Sequence, residues 1–308
     1  MELKNIECKE NFDISSMTSF KVGGLVKKVY FPANQKEFVF LLQNVKNPIV
    51  LGACSNVIFS SQGYDGVVIS TIRMNNFTVR GTKMILECGV KGPMASQTAY
   101  QNGLSGFEFM IGFPGSIGGN VFMNAGAHGQ TIADTFVQAC VYDTKQKEVA
   151  YLSKKDMEFD YRHSLLQTGR YILLEAEFEL KKEDKESIKS LMDRNLEFRK
   201  TIQPSLAMPN AGSVFKNPEN DSAGRLLDKA GVKSFEVNGV KVWEKHANFI
   251  VNTNNGSSED ILELIYKMYT QVKDTYTIEL EPEIRFIGKK SKREEEICKQ
   301  IYKTKILK

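Results

Sequence analysis

The stretch GFPGSIGGNVFMNAGAHG, residues 112–129, sets six glycines and one proline in eighteen positions with almost no charge. Glycine at this density gives up packing and costs backbone entropy, so it is kept where the backbone must approach a ligand or take a positive φ. Phosphate suits such a loop, because bare backbone N–H groups bind anions. A second small-residue turn, LGACSNVIF at 51–59, follows an apolar run and offers Gly52, Ala53, Cys54, Ser55 and Asn56. The two turns are read either as a grip on the two phosphates of one pyrophosphate or as a pair of tight β-turns. No two glycines stand at i and i+2, which removes the G-x-G-x-x-G fingerprint, and no G-x-x-x-x-G-K occurs. The five cysteines (Cys8, Cys54, Cys88, Cys140, Cys298) are scattered without a C-x-x-C pair. Neither a disulfide framework nor a metal site is signalled, and reduced thiols are expected.

The elements that must carry these turns read as α+β. Residues 35–45 have helical apolar spacing and lead past Pro48 into the buried run IVLG. Strand-like runs follow at 65–70, 77–80, 84–90, 136–143 and 171–180. In the last, Ile172, Leu174, Ala176, Phe178 and Leu180 alternate with Glu175, Glu177 and Glu179, which predicts one face in the core and one in water. Residues 183–200 form an amphipathic boundary helix; 257–275 open on serines and acids suited to an N-cap and carry an apolar stripe of Ile261, Leu262, Ile265, Met268, Tyr269 and Val272. The VNG at 237–239 signals a hairpin.

At 308 residues and 42% hydrophobic content the chain buries a sizeable core in two or three domains. The net charge of +4 comes from residues 289–308, where eight Lys/Arg face three Glu; the first 288 residues hold 33 basic and 34 acidic side chains. This neutral body gives no nucleic-acid footprint, and the mixed-sign tail, with Ile297, Ile301 and Ile306, is read as a solvated terminal helix. No apolar run is long enough for a membrane span and the N-terminus is charged, so a cytoplasmic protein without membrane insertion is expected, and the chain is taken as a monomer.

Seven motifs in order, TSFKVGG (18–24), LGACSNVIFS (51–60), GLSGFEFMIGFPGSIGGNVFMNAGAHG (103–129), YRHS (161–164), NAGSVFKNP (210–218), KHANFIVN (245–252) and LEPEIRFIG (280–288), resemble the UDP-N-acetylenolpyruvoylglucosamine reductase (MurB) family. The resemblance spans all but the first dozen residues and the basic tail. It implies a two-part FAD-binding module of the vanillyl-alcohol-oxidase type, 1–72 and 73–196, with 280–308 packing back on the first part, and a substrate domain at 197–279. It further implies non-covalent FAD gripped by Gly52, Ala53, Cys54, Ser55, Asn56, Gly112, Pro114, Gly115, Ser116, Gly118, Gly119 and Asn124, with NADPH as co-substrate.

By the same resemblance Arg162 is the catalytic arginine, Ser213 the proton donor and Glu283 the catalytic glutamate. A guanidinium suits the carboxylate of an enolpyruvyl ether because it donates two parallel hydrogen bonds. Serine as an acid requires a carbanion-like base and support for the alkoxide, for which Lys216 stands nearby. Tyr161, Lys216, Asn217, Lys245 and His246 are expected to bind the sugar or its diphosphate. Relatives commonly carry tyrosine where this chain has His128, and the short 162–213 interval resembles the subtype without an extra substrate-covering tyrosine loop. The alternatives are a non-catalytic flavin or nucleotide-sugar binding protein, and another oxidase on this scaffold with His128 as a covalent flavin attachment point.

Overall fold

The computed structural model describes residues 2–205 and 207–302. The chain divides into two compact units. The first takes the described residues up to Lys9 with Val29–Ala53 and Val67–Arg199; the second takes Glu10–Lys28, Cys54–Gly66 and the described residues from Lys200 onward.

The first unit is built on a five-stranded antiparallel sheet in the spatial order Glu148–Ser153, Phe136–Asp143, Tyr171–Glu179, Lys83–Glu87, Phe77–Arg80. One face is apolar because the period of two sends Leu86, Ala139, Val141, Leu174, Ala176 and Phe178 inward, each with no exposed surface. Phe107 and Phe136 meet Phe178 edge to face, with ring centroids 5.1 and 5.8 Å away. Full burial of one such ring contributes about 2–3 kcal/mol.

The other face is only partly in water, which corrects the alternation read for 171–180. Glu175 and Glu177 are half-buried. Gln35, at the start of helix Gln35–Asn44, donates to Glu175 at 2.7 Å, while Gln138 and Lys83 donate to Glu177 at 2.8 and 2.6 Å. Burial holds the Glu175 carboxyl above its ordinary range. A period of two records which residues share a face, not what covers it.

At the far end of strand Phe136–Asp143, Asp143 is 3% exposed and accepts from Arg170 Nε and Nη2 at 3.0 and 2.6 Å and from the backbone N–H groups of Lys145 and Gln146. The Arg170 hydrogen bonds lead in lowering its pKa to about 2.

In the second unit, strands Glu236–Val237, Val240–Val242 and Ile250–Asn252 form an antiparallel sheet. Its first hairpin turns on Asn238 and Gly239, both at positive φ (44° and 85°), as the VNG signal requires. Helix Ser258–Tyr276 begins with a Ser257/Asp260 capping box and buries the whole expected stripe. Strand Arg285–Ile287 pairs in parallel with Val57–Phe59. Helix Lys292–Ile301 departs from the solvated reading: it packs on helix Ser258–Tyr276 and buries Ile297, Cys298 and Ile301. Glu294, 1% exposed, accepts from Ser258 Oγ at 2.5 Å, so a carboxylate in a run of three glutamates is an internal cap. Ile306 lies outside the described residues. Among the described residues no helix is long and apolar enough to cross a membrane.

The depressed Asp143 pKa fixes a sign. Its contribution to stability is fully present above the ordinary carboxylate value and is lost as pH falls toward about 2. Asp143→Asn is expected to lower the melting temperature at pH 7, and the gap to the parent should close as a pH series of melts approaches 2.

Candidate active site

In the first unit the strand Ile49–Leu51 runs parallel to Val68–Ser70 and ends at Gly52. Opposite stands Ser116, the N-cap residue of the short helix Ile117–Phe122. A Cβ on Gly52 would overlap the Ser116 hydroxyl, so glycine is what allows this approach. Ser116 Oγ is buried and has no hydrogen-bond partner among the described residues. An orphaned hydroxyl beside a glycine turn is what a bound polar ligand would satisfy.

The loop is held from behind by backbone. Ile117 and Gly118 donate to the carbonyls of Val90 and Cys88 at 2.8 and 2.7 Å, and Gly92 donates to Gly115 at 2.9 Å. The first two amides are thereby engaged inside the protein, so an anion here would meet the Ser116 hydroxyl beside the Gly52 turn. Gly119 faces open space. Asn124, 6% exposed, is occupied at both ends of its amide: Nδ2 donates to Asp160 O and Oδ1 accepts from Ala133 N, each at 3.0 Å. It ties the glycine loop to the Asp160–His163 turn. Gly112 lies against the Arg199 stem, where a Cβ would stand 2.9 Å from Cδ. Gly52 and Ala53 belong to this unit, while Cys54, Ser55 and Asn56 belong to the second. Cys54 sits at φ 51° and burial pushes its thiol up to about 12, so it stays protonated and supplies backbone only.

Arg162 follows on that turn with φ 54°, a left-handed backbone that a long side chain adopts only when its surroundings impose it. They do. Gln167 Nε2 donates to Arg162 O at 2.9 Å and to Phe122 O at 3.0 Å, Ser164 Oγ donates to Phe122 O, and Asp160 and His163 pair across the turn. The guanidinium lies 5.2 Å over the half-exposed Tyr161 ring and reaches Gly126 O at 3.5 Å. Gln167 carries no signal in the sequence LLQT, because its importance lies in two carbonyls five and forty-five positions away.

In the second unit Ser213 and Glu283 stand on neighbouring extended segments. Glu283 N donates to Val214 O and Lys216 N to Glu281 O, at 2.8 and 2.9 Å. On the other side Ser213 bridges Phe249, and Val214 N donates to Asn248 O. Asn248 then completes a clamp with its side chain: Oδ1 accepts from Phe215 N and Nδ2 donates to Phe215 O, both at 2.9 Å. Sequence reading passed over Asn248 as part of a motif. Asn56 joins the array from residues 54–66, donating from Nδ2 to Glu283 O and accepting from Arg285 N.

The binding candidates of this unit are arranged as follows. Lys216 pairs with Glu281 at 2.8 Å. Asn217 Oδ1 accepts from Ala223 N at the start of helix Ala223–Lys229, and Lys245 is exposed. The His246 ring packs on Phe249 and against Gly224, where a Cβ would stand 2.8 Å from Cε1. Burial lowers its pKa, and Nδ1 accepts from Asn248 N, so the neutral ring carries its proton on Nε2 as a donor. Trp243, the chain's single tryptophan, donates from Nε1 to Ile202 O.

A small-residue cradle around an orphaned hydroxyl on an α+β sheet unit defines a cofactor-binding protein, and comparison with known proteins specifies the cofactor class. Residues 27–146 match the FAD binding domain model, and residues 203–287 match the C-terminal domain model of UDP-N-acetylenolpyruvoylglucosamine reductase. The chain belongs to the UDP-N-acetylenolpyruvoylglucosamine reductase family. It is 41% identical over 297 residues to the reductase of Caldicellulosiruptor bescii (94% of each chain) and 39% identical to that of Streptococcus pneumoniae (93% of this chain, 96% of the other). The crystal structure of the Thermus caldophilus enzyme, MurB, superposes with a TM-score of 0.78 at 29% identity, over 91% of this chain and 98% of that one.

Two outcomes follow. Asn248→Ala strands the buried N–H and C=O of Phe215 and is expected to lower unfolding free energy by about 2–4 kcal/mol in urea titrations. Gly52→Ala displaces the Ser116 hydroxyl and should yield a folded protein that retains less FAD than the parent through gel filtration, read from the flavin-to-protein absorbance ratio.

Proposed function

We propose that this chain reduces UDP-N-acetylglucosamine enolpyruvate to UDP-N-acetylmuramate at the expense of NADPH, a step of peptidoglycan precursor synthesis. The reading includes non-covalently held FAD and a monomer working in the cytoplasm. The match to named reductases along nine-tenths of the chain carries this reading. Within each unit the local geometry supports it: Gln167 fixes the Arg162 backbone in one, and pairing through Val214 sets Ser213 and Glu283 on neighbouring segments in the other.

The residues proposed to hold FAD are Gly52, Ala53, Cys54, Ser55 and Asn56 on one turn, with Gly112, Pro114, Gly115, Ser116, Gly118, Gly119 and Asn124 on the other. When bound and first reduced by NADPH, the flavin would supply a hydride to the methylene carbon of the enolpyruvyl ether. Negative charge then accumulates on the substrate's adjacent carbon and carboxylate. Arg162 is assigned to that carboxylate: Gln167 fixes its backbone, and the Tyr161 ring and the Gly126 carbonyl hold the guanidinium itself. Ser213 is assigned to give its hydroxyl proton to the adjacent carbon and to regain one from solvent. Glu283, hydrogen-bonded through its backbone to Val214, is assigned to the same proton path. Tyr161, Lys216, Asn217, Lys245 and His246 are assigned to the nucleotide sugar, with His246 donating from Nε2. The domain division proposed with this chemistry keeps 1–72 and 73–196 for the cofactor and 197–279 for the substrate.

The test separates the two half-reactions. In anaerobic stopped flow, Ser213→Ala should bleach with NADPH at a near-normal rate and reoxidise with the enolpyruvyl sugar nucleotide roughly a hundred- to ten-thousand-fold more slowly. Arg162→Lys should impair the same step, since lysine keeps the charge and loses the planar fork. Equal slowing of both steps, or unchanged turnover in Ser213→Ala, would remove Ser213 from the role of acid. A parent protein that stays colourless after incubation with FAD would sink the whole reading.

A further inference from the structure

Helix Lys185–Ile202 presents Phe198 with half its surface bare, at 53% exposure. The ring meets His128 edge to face, with centroids 5.4 Å apart and planes at 79°. His128 occupies the tip of a two-residue hairpin, in which Gln130 pairs with Ala127 and Thr131 with Gly126. Both tip residues have positive φ, 55° at His128 and 78° at Gly129. Asparagine and glycine are the usual occupants of such a tip, so a histidine there needs a reason in its ring. The base of the same hairpin is Gly126, whose carbonyl faces Arg162 Nη2 at 3.5 Å. That distance is the outer edge of hydrogen bonding, and a few tenths of an ångström in the hairpin make or lose the contact. The helix end is itself fixed, because the neighbouring Arg199 stem lies directly on Gly112.

We propose that Phe198 is a positioning residue for Arg162, acting through the His128 ring and the Gly126 carbonyl. This rests on the reductase reading of the site. Burial keeps the His128 imidazole biased to its neutral form, which suits packing against a phenyl edge. The sequence of contacts runs from a helix surface to a hairpin tip, down the hairpin to its base, and from there to the guanidinium. Its effect falls on the step in which Arg162 meets the enolpyruvyl carboxylate and leaves flavin reduction by NADPH untouched.

The experiment uses the full-length, FAD-loaded protein and reads both half-reactions, FAD content and melting temperature. Phe198→Ala should slow reoxidation by the enolpyruvyl sugar nucleotide about two- to tenfold, the worth of one edge-to-face pair, with bleaching by NADPH and FAD content unchanged. His128→Asn keeps a residue suited to positive φ and removes only the ring, so it should show the same loss. The double variant should be no slower than the slower single one, because both changes break one contact. Phe198→Tyr should restore the parental rate. Unchanged reoxidation in Phe198→Ala, a normal His128→Asn beside a slow Phe198→Ala, additive losses, or a fall in FAD content that accounts for the slowing would each overturn the coupling. A parent enzyme that is reduced by NADPH and not reoxidised by the sugar nucleotide would overturn the reaction reading itself, and the coupling with it.

Discussion

The carboxamide of Asn248 takes both polar groups of Phe215, while its own backbone carbonyl takes Val214 N. Three hydrogen bonds from one residue that is 3% exposed hold an irregular segment where a sheet would ordinarily be needed. The segment then pairs on its other edge with residues 281–283, and that pairing sets Ser213 and Glu283 on adjacent extended segments. A buried side-chain amide thus satisfies the peptide groups it covers without a further rung of backbone ladder.

The first unit solves a related problem chiefly through its backbone, with the Asn124 amide as a side-chain tie. Its glycine loop is fastened to residues 88–92 by backbone hydrogen bonds, and the close approach of Gly52 to Ser116 leaves one buried hydroxyl without a partner among the described residues. Regular structure provides the rigid frame in both units, and the functional groups sit on the irregular pieces between. The left-handed Arg162 shows the cost of that arrangement, on the order of 1–3 kcal/mol, offset by Gln167, Ser164 and the Asp160–His163 pairing.

How much of this was legible depended on the range of the interaction. Strand Phe136–Asp143 and the Ser257 cap of helix Ser258–Tyr276 were readable because periodicity and capping are local. The water-facing reading of Glu175 failed because Gln35, far away in sequence, covers it. The terminal helix was misjudged for the same reason: three glutamates and several lysines hid the fact that Ile297 and Ile301 pack on another helix and that Glu294 caps Ser258. The site residues were visible only as ordered motifs. Asn248 stood inside such a motif with no role attached, while Gln167 and Phe198 stood in unremarkable stretches and derive their meaning from partners that no spacing rule connects.

Trp243 gives the molecule a built-in optical reporter of unequal coverage. Its indole is anchored to the Ile202 carbonyl, both residues belong to the second unit, and no other tryptophan exists in the chain. Intrinsic emission excited selectively at tryptophan therefore originates in the unit that carries Ser213 and Glu283, and a change in it reports first on the Trp243–Ile202 contact.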